Sequence, residues 1–257
     1  MKHLSARPLL LIVVLAGWLT GKIQSAETLR FRADTWMPVN GDATSDQPGY
    51  AVEVLRAIFT KQGIMVDYQT MPWPDALRAA DEGTVDGVIG ASRKEASRLI
   101  LPEEVIGVAR FGLYVRQANP WTFSGLGSLQ GVRLGAIDGY AYWEALDEYV
   151  QTHHAPDVVL FTGETPLKDG LAMLSNGAID VMSENVSVFT WAARNEWLQP
   201  SAFRLAYVHP GDDAFVAFAR GNAGRRNARL FDKGIRQLRL SGELSRILAK
   251  YGVEDWK

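Results

Sequence analysis

One pattern occurs twice along this chain and constrains its fold more than any other feature. In each copy an amphipathic helix is followed by a glycine, one further residue, a β-branched residue, an aspartate and a strand; the copies cover residues 77–86 and 171–180. Because glycine readily adopts the left-handed conformation that ends a helix, each copy predicts a helix that stops and turns directly into a strand. The repetition predicts two similar α/β halves.

Strands and helices also alternate over the rest of the chain. Period-two alternation and short apolar runs predict strands at residues 29–33, 64–69, 85–91, 132–137, 158–161, 179–183, 204–208 and 215–220. Apolar residues at helical spacing predict helices at residues 50–62, 72–83, 140–150, 166–177 and 186–197, with two more at the C-terminus. This order is typical of βαβ units, so we predict an α/β protein with largely parallel sheets.

Two segments of the chain are suited to connect the predicted halves. Residues 119–131 are polar and rich in glycine, and a return connection is expected near residues 208–210. Two lobes joined by two crossing segments form a hinge with a cleft between them. We therefore predict a first lobe formed by residues 27–117 and 209–257, and a second lobe formed by residues 118–208.

The N-terminus has the features of a secretory signal peptide, which we assign to residues 1–26. A short basic segment precedes an unbroken apolar run at residues 9–19, which is too short to span a bilayer but suits the apolar core of such a peptide. An anchor that stays in place, or a buried strand, is the alternative. The residues before the cut do not decide between cleavage after Ser25 and after Ala26. We expect a periplasmic protein whose mature form is not embedded in the membrane.

The composition excludes several classes of function. The 27 lysines and arginines nearly balance the 29 aspartates and glutamates, so there is no basic excess that would favour nucleic acid. The chain has no cysteine, which excludes disulfides, thiolate metal ligands and a cysteine nucleophile. No serine-hydrolase elbow, phosphate-binding loop or zinc-protease motif occurs, and we interpret the adjacent His153 and His154 as surface residues. We therefore predict no cofactor, no metal and no catalytic residue.

Five short motifs, taken in order along the chain, resemble one known family. They are GYAVEV at residues 49–54, GTVDGVIG at 83–90, SLQGVRLG at 128–135, GAID at 177–180, and SGEL at 241–244 before YG at 251–252. Together they resemble the bacterial extracellular solute-binding proteins of family 3, over about residues 29–256. The resemblance implies the type II periplasmic-binding-protein fold, in which two α/β lobes are joined by two hinge crossovers. We expect a monomer that binds a small molecule.

The resemblance also implies a ligand-binding site in the cleft between the lobes. The family's aromatic pair corresponds to Trp36 and Trp73, which could stack on an apolar part of the ligand or hold an amine by cation–π attraction. The family's threonine, which holds the ligand carboxylate together with an arginine, corresponds to Ser92. The arginine is displaced from its ungapped position, which leaves Arg98 and Arg93 as candidates.

Four further residues complete the predicted site. The turn that ends at Tyr140, at a predicted helix start, matches the family turn whose amides meet the carboxylate. The family's amine-binding aspartate corresponds to Asn185, with Glu184 beside it, and only one of these two neighbours on a strand can face the cleft. Tyr50, at the start of the first helix, could close the floor of the cleft or belong to the core. The departures from the family pattern affect the expected ligand and not the fold.

Three functions are compatible with these observations, and we prefer the first. In the first, the protein captures a small polar solute, an amino acid or a related amine or carboxylate, and delivers it to an ABC-type membrane permease. In the second, it is an enzyme similar to the cyclohexadienyl dehydratases that share this fold, with Glu184 as a cleft carboxylate of raised pKa. In the third, it is a sensor subunit that reports the solute to a membrane receptor.

Overall fold

The computed structural model describes residues 27–163, 165–194 and 199–257, so the predicted signal peptide lies outside the described residues. The strands are β1 (Thr28–Ala33), β2 (Met65–Thr70), β3 (Gly87–Ala91), β4 (Gly107–Ala109), β5 (Phe111–Arg116), β6 (Leu134–Ile137), β7 (Val158–Phe161), β8 (Val181–Asn185), β9 (Phe203–Val208) and β10 (Asp212–Phe218). The helices are α1 (Tyr50–Thr60), α2 (Trp73–Asp81), α3 (Glu144–Thr152), α4 (Pro166–Asn176), α5 (Val186–Arg194), α6 (Asn222–Leu240) and α7 (Glu243–Lys250).

The strands form two five-stranded sheets that follow the same plan. The strand order is β2-β1-β3-β10-β4 in the first sheet and β7-β6-β8-β5-β9 in the second. In each sheet the first three strands are parallel, and the fourth is antiparallel to the third. Helices connect the parallel strands, as a parallel pair requires. The two-lobed α/β fold is therefore confirmed.

The chain crosses between the sheets at two short connections. Because β4 pairs with β10 and β5 pairs with β8 and β9, the first crossing lies at Arg110. The return lies between Val208 and Asp212. The connection predicted at residues 119–131 joins β5 to β6 inside the second sheet, so that prediction was wrong. The cause is that β4 and β5, which the sequence pattern did not reveal as strands, come before it; β5 joins the second sheet although the predicted first lobe extended to residue 117.

The repeated sequence pattern has the same structure in both lobes. The glycine of each copy adopts a left-handed conformation, with φ of +74° in the first and +80° in the second. The aspartate of each copy then binds an arginine near the start of the neighbouring strand. Asp86 accepts hydrogen bonds from the backbone N (2.8 Å) and Nε (3.1 Å) of Arg30, and Asp180 accepts them from the backbone N (3.1 Å) and Nε (2.8 Å) of Arg133. Each pair ties the third strand in the sheet order, β3 or β8, to the second, β1 or β6.

Each lobe also has its own apolar core between its sheet and its helices. In the first lobe, α1, α6 and α7 pack on β1 and β10 through a set of aromatic rings that includes Phe31, Phe59 and Phe218. In the second lobe, residues of β5, β6 and β8 form the centre, and α4 and α5 cover one face. Each sheet is thus packed against helices of its own through a separate cluster of buried apolar residues.

Candidate ligand-binding site

A cavity lies between the two lobes, at the carboxyl ends of the parallel strands. Parallel sheets open their ligand sites at this edge, where loops leave the strands. The lining residues come from the loops after β1 and β3, from the start of β10, from α2 and from the second-lobe segment after β6: Asp34, Trp36, Trp73, Ile89, Gly90, Ser92, Glu95, Ala109, Phe111, Tyr140, Ala141, Tyr142, Asp212, Asp213 and Ala214. The cavity measures about 70 Å³, which is space for only a few water molecules.

A tight turn and the absence of a side chain at Gly90 position Trp36 at the cavity edge of the first lobe. Its backbone N donates to the carbonyl of Asn40 (2.7 Å), which closes the turn after β1. The indole ring lies against Gly90 at the end of β3, where a Cβ would come within 3.2 Å of the ring and where φ is +92°. Only glycine suits both the backbone conformation and the approach of the ring. The local chain thus presents the indole to the cavity.

Trp73, Ser92 and Glu95 form a second unit on the same wall. The indole N of Trp73, at the start of α2, donates to Oε1 of Glu95 (2.8 Å). The backbone N and the hydroxyl of Ser92 donate to Oε2 of Glu95 (2.8 and 2.7 Å), and the backbone N of Glu95 donates back to that hydroxyl (3.3 Å). This reciprocal arrangement is a capping box. Both carboxylate oxygens of Glu95 are therefore fixed at the cavity.

The second lobe contributes two tyrosines. The Tyr140 hydroxyl donates to Oδ2 of Asp34 (2.8 Å) and so connects the two lobes across the cavity. The Tyr142 hydroxyl accepts a hydrogen bond from the backbone N of Ile137 (2.6 Å), which fixes its buried ring. Burial raises the pKa of Asp34, although the bond from Tyr140 acts in the opposite direction.

Tyr140 reaches the cavity, but the predicted helix start at this residue was wrong. Helix α3 begins at Glu144, and the backbone N of Tyr140 is already bonded to the carbonyl of Ile137 (3.3 Å). The backbone N of Tyr142 donates to Asp147 (2.8 Å), which draws the segment into a loop before the helix. The second lobe therefore presents a tyrosine hydroxyl at this point instead of the free amides of a helix end.

The two candidate arginines lie away from the cavity. Arg98 forms an ion pair with Asp81 (3.0 Å), and 70% of its side chain is exposed. The guanidinium of Arg93 lies 4.8 Å from the centre of the Phe215 ring, in a cation–π contact. Arg98 is the last residue of a short 3₁₀ turn at residues 95–98, and Arg93 precedes that turn. The structure brings Trp36, Trp73, Ser92 and Tyr140 together and leaves both arginines outside the lining.

The other three predicted residues do not line the cavity either. Tyr50 is buried in the first-lobe core, with ring contacts to Tyr251 and Trp256. The side-chain oxygen of Asn185 accepts a hydrogen bond from the backbone N of Ser187 (2.8 Å), which caps α5. Glu184 is only 1% exposed, and burial raises its pKa to about 8. Its Oε1 accepts a bond from the next backbone N (2.6 Å).

Sequence reasoning missed eleven of the fifteen lining residues, six of which have acidic or aromatic side chains. Glu95 carried a detectable signal, because Ser-x-x-Glu is the capping-box pattern. Asp34 directly follows β1 and could have been expected at the same edge as Trp36. Phe111, Tyr142, Asp212 and Asp213 carried no local signal, because the two crossings between the sheets and the loop before α3 bring them to the site.

Two features are absent from the described residues, a metal-binding cluster and a membrane-spanning helix. No group of three or more histidine, aspartate or glutamate side chains is arranged to hold a metal ion in the part of the chain that the structure describes. Across residues 27–163, 165–194 and 199–257, no helix combines the length and the apolar character that a membrane span needs.

Solved structures with the same fold include binding proteins and a sensor domain. A histidine kinase sensor domain described as similar to periplasmic binding proteins has 22% identity and a TM-score of 0.71, over 89% of this chain and 98% of that domain. An ancestral arginine-binding protein bound to glutamine has 18% identity and a TM-score of 0.69, over 88% and 98% of the two chains. A Salmonella typhimurium periplasmic binding protein, described for its high arginine specificity, has 13% identity and a TM-score of 0.66, over 88% and 99%.

The family comparison agrees with the topology and with the place of the cavity. A comparison with curated proteins finds no match. The family described as bacterial extracellular solute-binding proteins, family 3, matches residues 32–254, which is most of the 257-residue chain. This protein belongs to the bacterial extracellular solute-binding proteins of family 3.

Proposed function

We propose that the protein captures a small polar solute, an amino acid or a related amine or carboxylate, between its lobes and delivers it to an ABC-type permease. The observation that carries this proposal is the cavity between two independently packed lobes, bridged by the hydrogen bond from Tyr140 to Asp34. A solute that contacts both walls binds the closed form better than the open one, and so shifts the population toward closure. The permease would recognise that closed form.

The predicted export fits this role. A protein that serves a permease from outside the membrane must be secreted, and the predicted signal peptide at residues 1–26 would direct it to the periplasm. The mature chain would act as a monomer, because the cavity is completed by two lobes of one chain.

A screen by thermal shift and calorimetry tests the proposal. The purified protein is mixed with amino acids, polyamines and small carboxylates. A ligand at about 100 times its Kd adds about 2.7 kcal/mol to the free energy of unfolding. We expect at least one such ligand, bound with one-to-one stoichiometry and recovered unchanged.

Tryptophan variants locate the site in the same experiment. Trp36→Ala and Trp73→Ala each remove a ring from the cavity wall, and we expect each to weaken binding at least tenfold. Trp121→Ala removes an indole of the second lobe that does not line the cavity, and it should leave the affinity unchanged. If no compound binds, or if the two cavity variants bind as tightly as the unsubstituted protein, the proposed function is wrong.

A sensor role is the second candidate, because a histidine kinase sensor domain shares the fold over nearly its whole length. Uptake of the labelled ligand by cells that lack the protein distinguishes the two roles. Loss of uptake supports delivery to a permease, whereas normal uptake with a lost transcriptional response supports sensing. The dehydratase alternative has no comparable support, because Glu184, its proposed catalytic carboxylate, does not line the cavity.

A further inference from the structure

The charges around the cavity define a narrower ligand class than the proposed function does. We propose that the site selects a small organic ammonium compound that carries no carboxylate, such as a primary monoamine or diamine. The inference rests on the proposed function, because it concerns the same cleft.

Four acidic residues are among the residues that line the cavity, and no lysine, arginine or histidine is among its described lining residues. The acidic residues are Asp34, Glu95, Asp212 and Asp213. None of the four forms an ion pair with another described residue. The carboxylate of an amino acid would therefore enter a site of like charge, which opposes binding, whereas an ammonium group would be attracted.

Three cations that follow β3 in sequence are engaged elsewhere. Lys94 reaches Asp147 of the second lobe (3.7 Å), and Arg98 pairs with Asp81 (3.0 Å). Arg93 lies over the ring of Phe215. The stretch that was expected to provide an arginine for a carboxylate instead provides Glu95, held by Trp73 and Ser92. This wall therefore carries a negative group where the family resemblance implied a positive one.

The second lobe does not replace the missing anion site. The amide of Tyr140 is bonded to the carbonyl of Ile137, and the amide of Tyr142 donates to Asp147. The first turn of α3 itself carries two acids, Glu144 and Asp147. An acidic first turn already interacts with the positive end of the helix, so it disfavours a ligand carboxylate there.

The uncharged part of the lining suits the same ligand class. Trp36 and Trp73 provide indole rings, and Phe111, Tyr140 and Tyr142 provide three more aromatic rings. Aromatic faces attract ammonium groups, most strongly in sites from which water is excluded. Carboxylates next to aromatic rings therefore favour a cation whose remaining surface is apolar. The cavity of about 70 Å³ limits such a cation to a small molecule.

Matched pairs of compounds test this inference directly. Cadaverine and lysine, putrescine and ornithine, and agmatine and arginine differ only by the α-carboxylate. We expect each amine whose length the cavity accepts to bind at least tenfold more tightly than its amino acid in isothermal titration calorimetry. Tighter or equal binding of the amino acids overturns the inference and leaves the proposed function intact. Failure of all three amines also overturns it, while a different ligand found in the wider screen would still support the proposed function.

A pair of double variants tests the role of the charges. Asp212→Asn with Asp213→Asn removes two exposed carboxylates whose side chains form no hydrogen bond to another described residue. We expect the affinity for the amine to fall at least tenfold. The ratio of amine affinity to amino-acid affinity should also become smaller. Asp46→Asn with Asp157→Asn makes the same change in net charge at exposed positions outside the cavity and should leave the affinity unchanged. Equal affinity in both double variants would contradict the inference.

Discussion

The two lobes share one scaffold, yet they carry different groups at equivalent positions. Counted from the motif aspartates Asp86 and Asp180, the fourth residue is Gly90 in the first lobe and Glu184 in the second. Gly90 leaves room for the ring of Trp36 at the end of β3. Glu184 is buried at the end of β8, with its Oε2 unpaired among the described residues. The same strand end therefore admits an aromatic ring in one lobe and encloses a carboxyl group in the other.

The two lobes also differ in the charge that their side chains bring to the cavity. All four lining carboxylates belong to the first lobe, whereas the second lobe contributes Phe111, Tyr140 and Tyr142. Because burial raises the pKa of Glu184 to about 8, this group is protonated at neutral pH and adds no charge to the second wall. The two lobes thus share one scaffold but bring different chemical groups to the cavity. One wall attracts a cation, and the other covers it with aromatic rings.

The largest expected effect is the change in stability on removing the buried carboxyl group of Glu184. Glu184 has a pKa of about 8 in the folded protein and 4.5 as a reference, so the folded state keeps the proton to higher pH than the unfolded chain. Stability therefore declines as pH rises from about 4.5 to 8, by up to about 1.4 kcal/mol per pH unit. Glutamine does not titrate. Glu184→Gln should be more stable than the unsubstituted protein by about 4 kcal/mol at pH 8, with the difference vanishing below pH 4.5.

Urea denaturation over this pH range provides the measurement. Glu144→Gln, at an exposed position on α3 of the same lobe, is the matched control and should follow the unsubstituted protein at a constant offset. If the curve for Glu184→Gln also runs parallel to that of the unsubstituted protein, Glu184 titrates alike in both states. The second lobe would then carry a buried negative charge at neutral pH, and the contrast in charge between the lobes would be weaker.

The next prediction is a difference in stability between alanine variants of the two motif aspartates. The carboxylate of Asp180 accepts bonds from the backbone N, Nε and Nη2 of Arg133 and lies 3.8 Å from Arg116. Among the described residues, the carboxylate of Asp86 binds only Arg30. Asp180→Ala should therefore destabilise the protein more than Asp86→Ala, by about 1 kcal/mol after allowance for the partial exposure of both pairs. Urea denaturation at neutral pH measures the difference, and equal losses would show that the additional contacts contribute nothing.

The fold was predictable because its signals are local and repeated. A glycine that ends a helix and an aspartate that begins a strand need only their immediate neighbours, and both copies have the predicted structure around Gly83 and Gly177. The strands β4 and β5 escaped prediction. Strand β4 has only three residues, and β5 follows it directly across Arg110. That junction is also the first crossing between the sheets, so its omission moved the predicted connection to a loop inside the second lobe.

The site was predictable only where residues follow a parallel strand or begin its next helix. Trp36, Trp73 and Ser92 reach the cavity for this reason. The direction of Arg98 depends on a short 3₁₀ turn, in which a shift of one residue turns a side chain to another side. Asp212 and Asp213 are far in sequence from the lining residues of β3 and α2, and the return crossing brings them to the first wall. The acidic character of the site is therefore a property of the tertiary structure.

The last prediction concerns the pH dependence of amine binding, and it tests the charged wall directly. The groups that face Asp34 are the carboxyl groups of Glu95 and Glu184 and the hydroxyls of Tyr140 and Tyr68. Burial raises the pKa of Asp34 above its usual value, and the carboxylate of Glu95 acts in the same direction. Asp34 must be ionised to attract an ammonium group, whereas a primary amine stays charged far above neutral pH.

The affinity for cadaverine should therefore rise with pH through the pKa of Asp34, by at most tenfold per unit, and then level off. Calorimetry between about pH 4 and pH 8 measures this slope, with the Asp46→Asn and Asp157→Asn double variant as the control that keeps it. Asp34→Asn retains an acceptor for the Tyr140 hydroxyl but no titrating group, so its affinity should be lower at neutral pH and its slope shallower. An unchanged slope in Asp34→Asn would show that the pH dependence does not come from Asp34. Cation recognition would then not depend on the carboxylate that Tyr140 bridges to the second lobe.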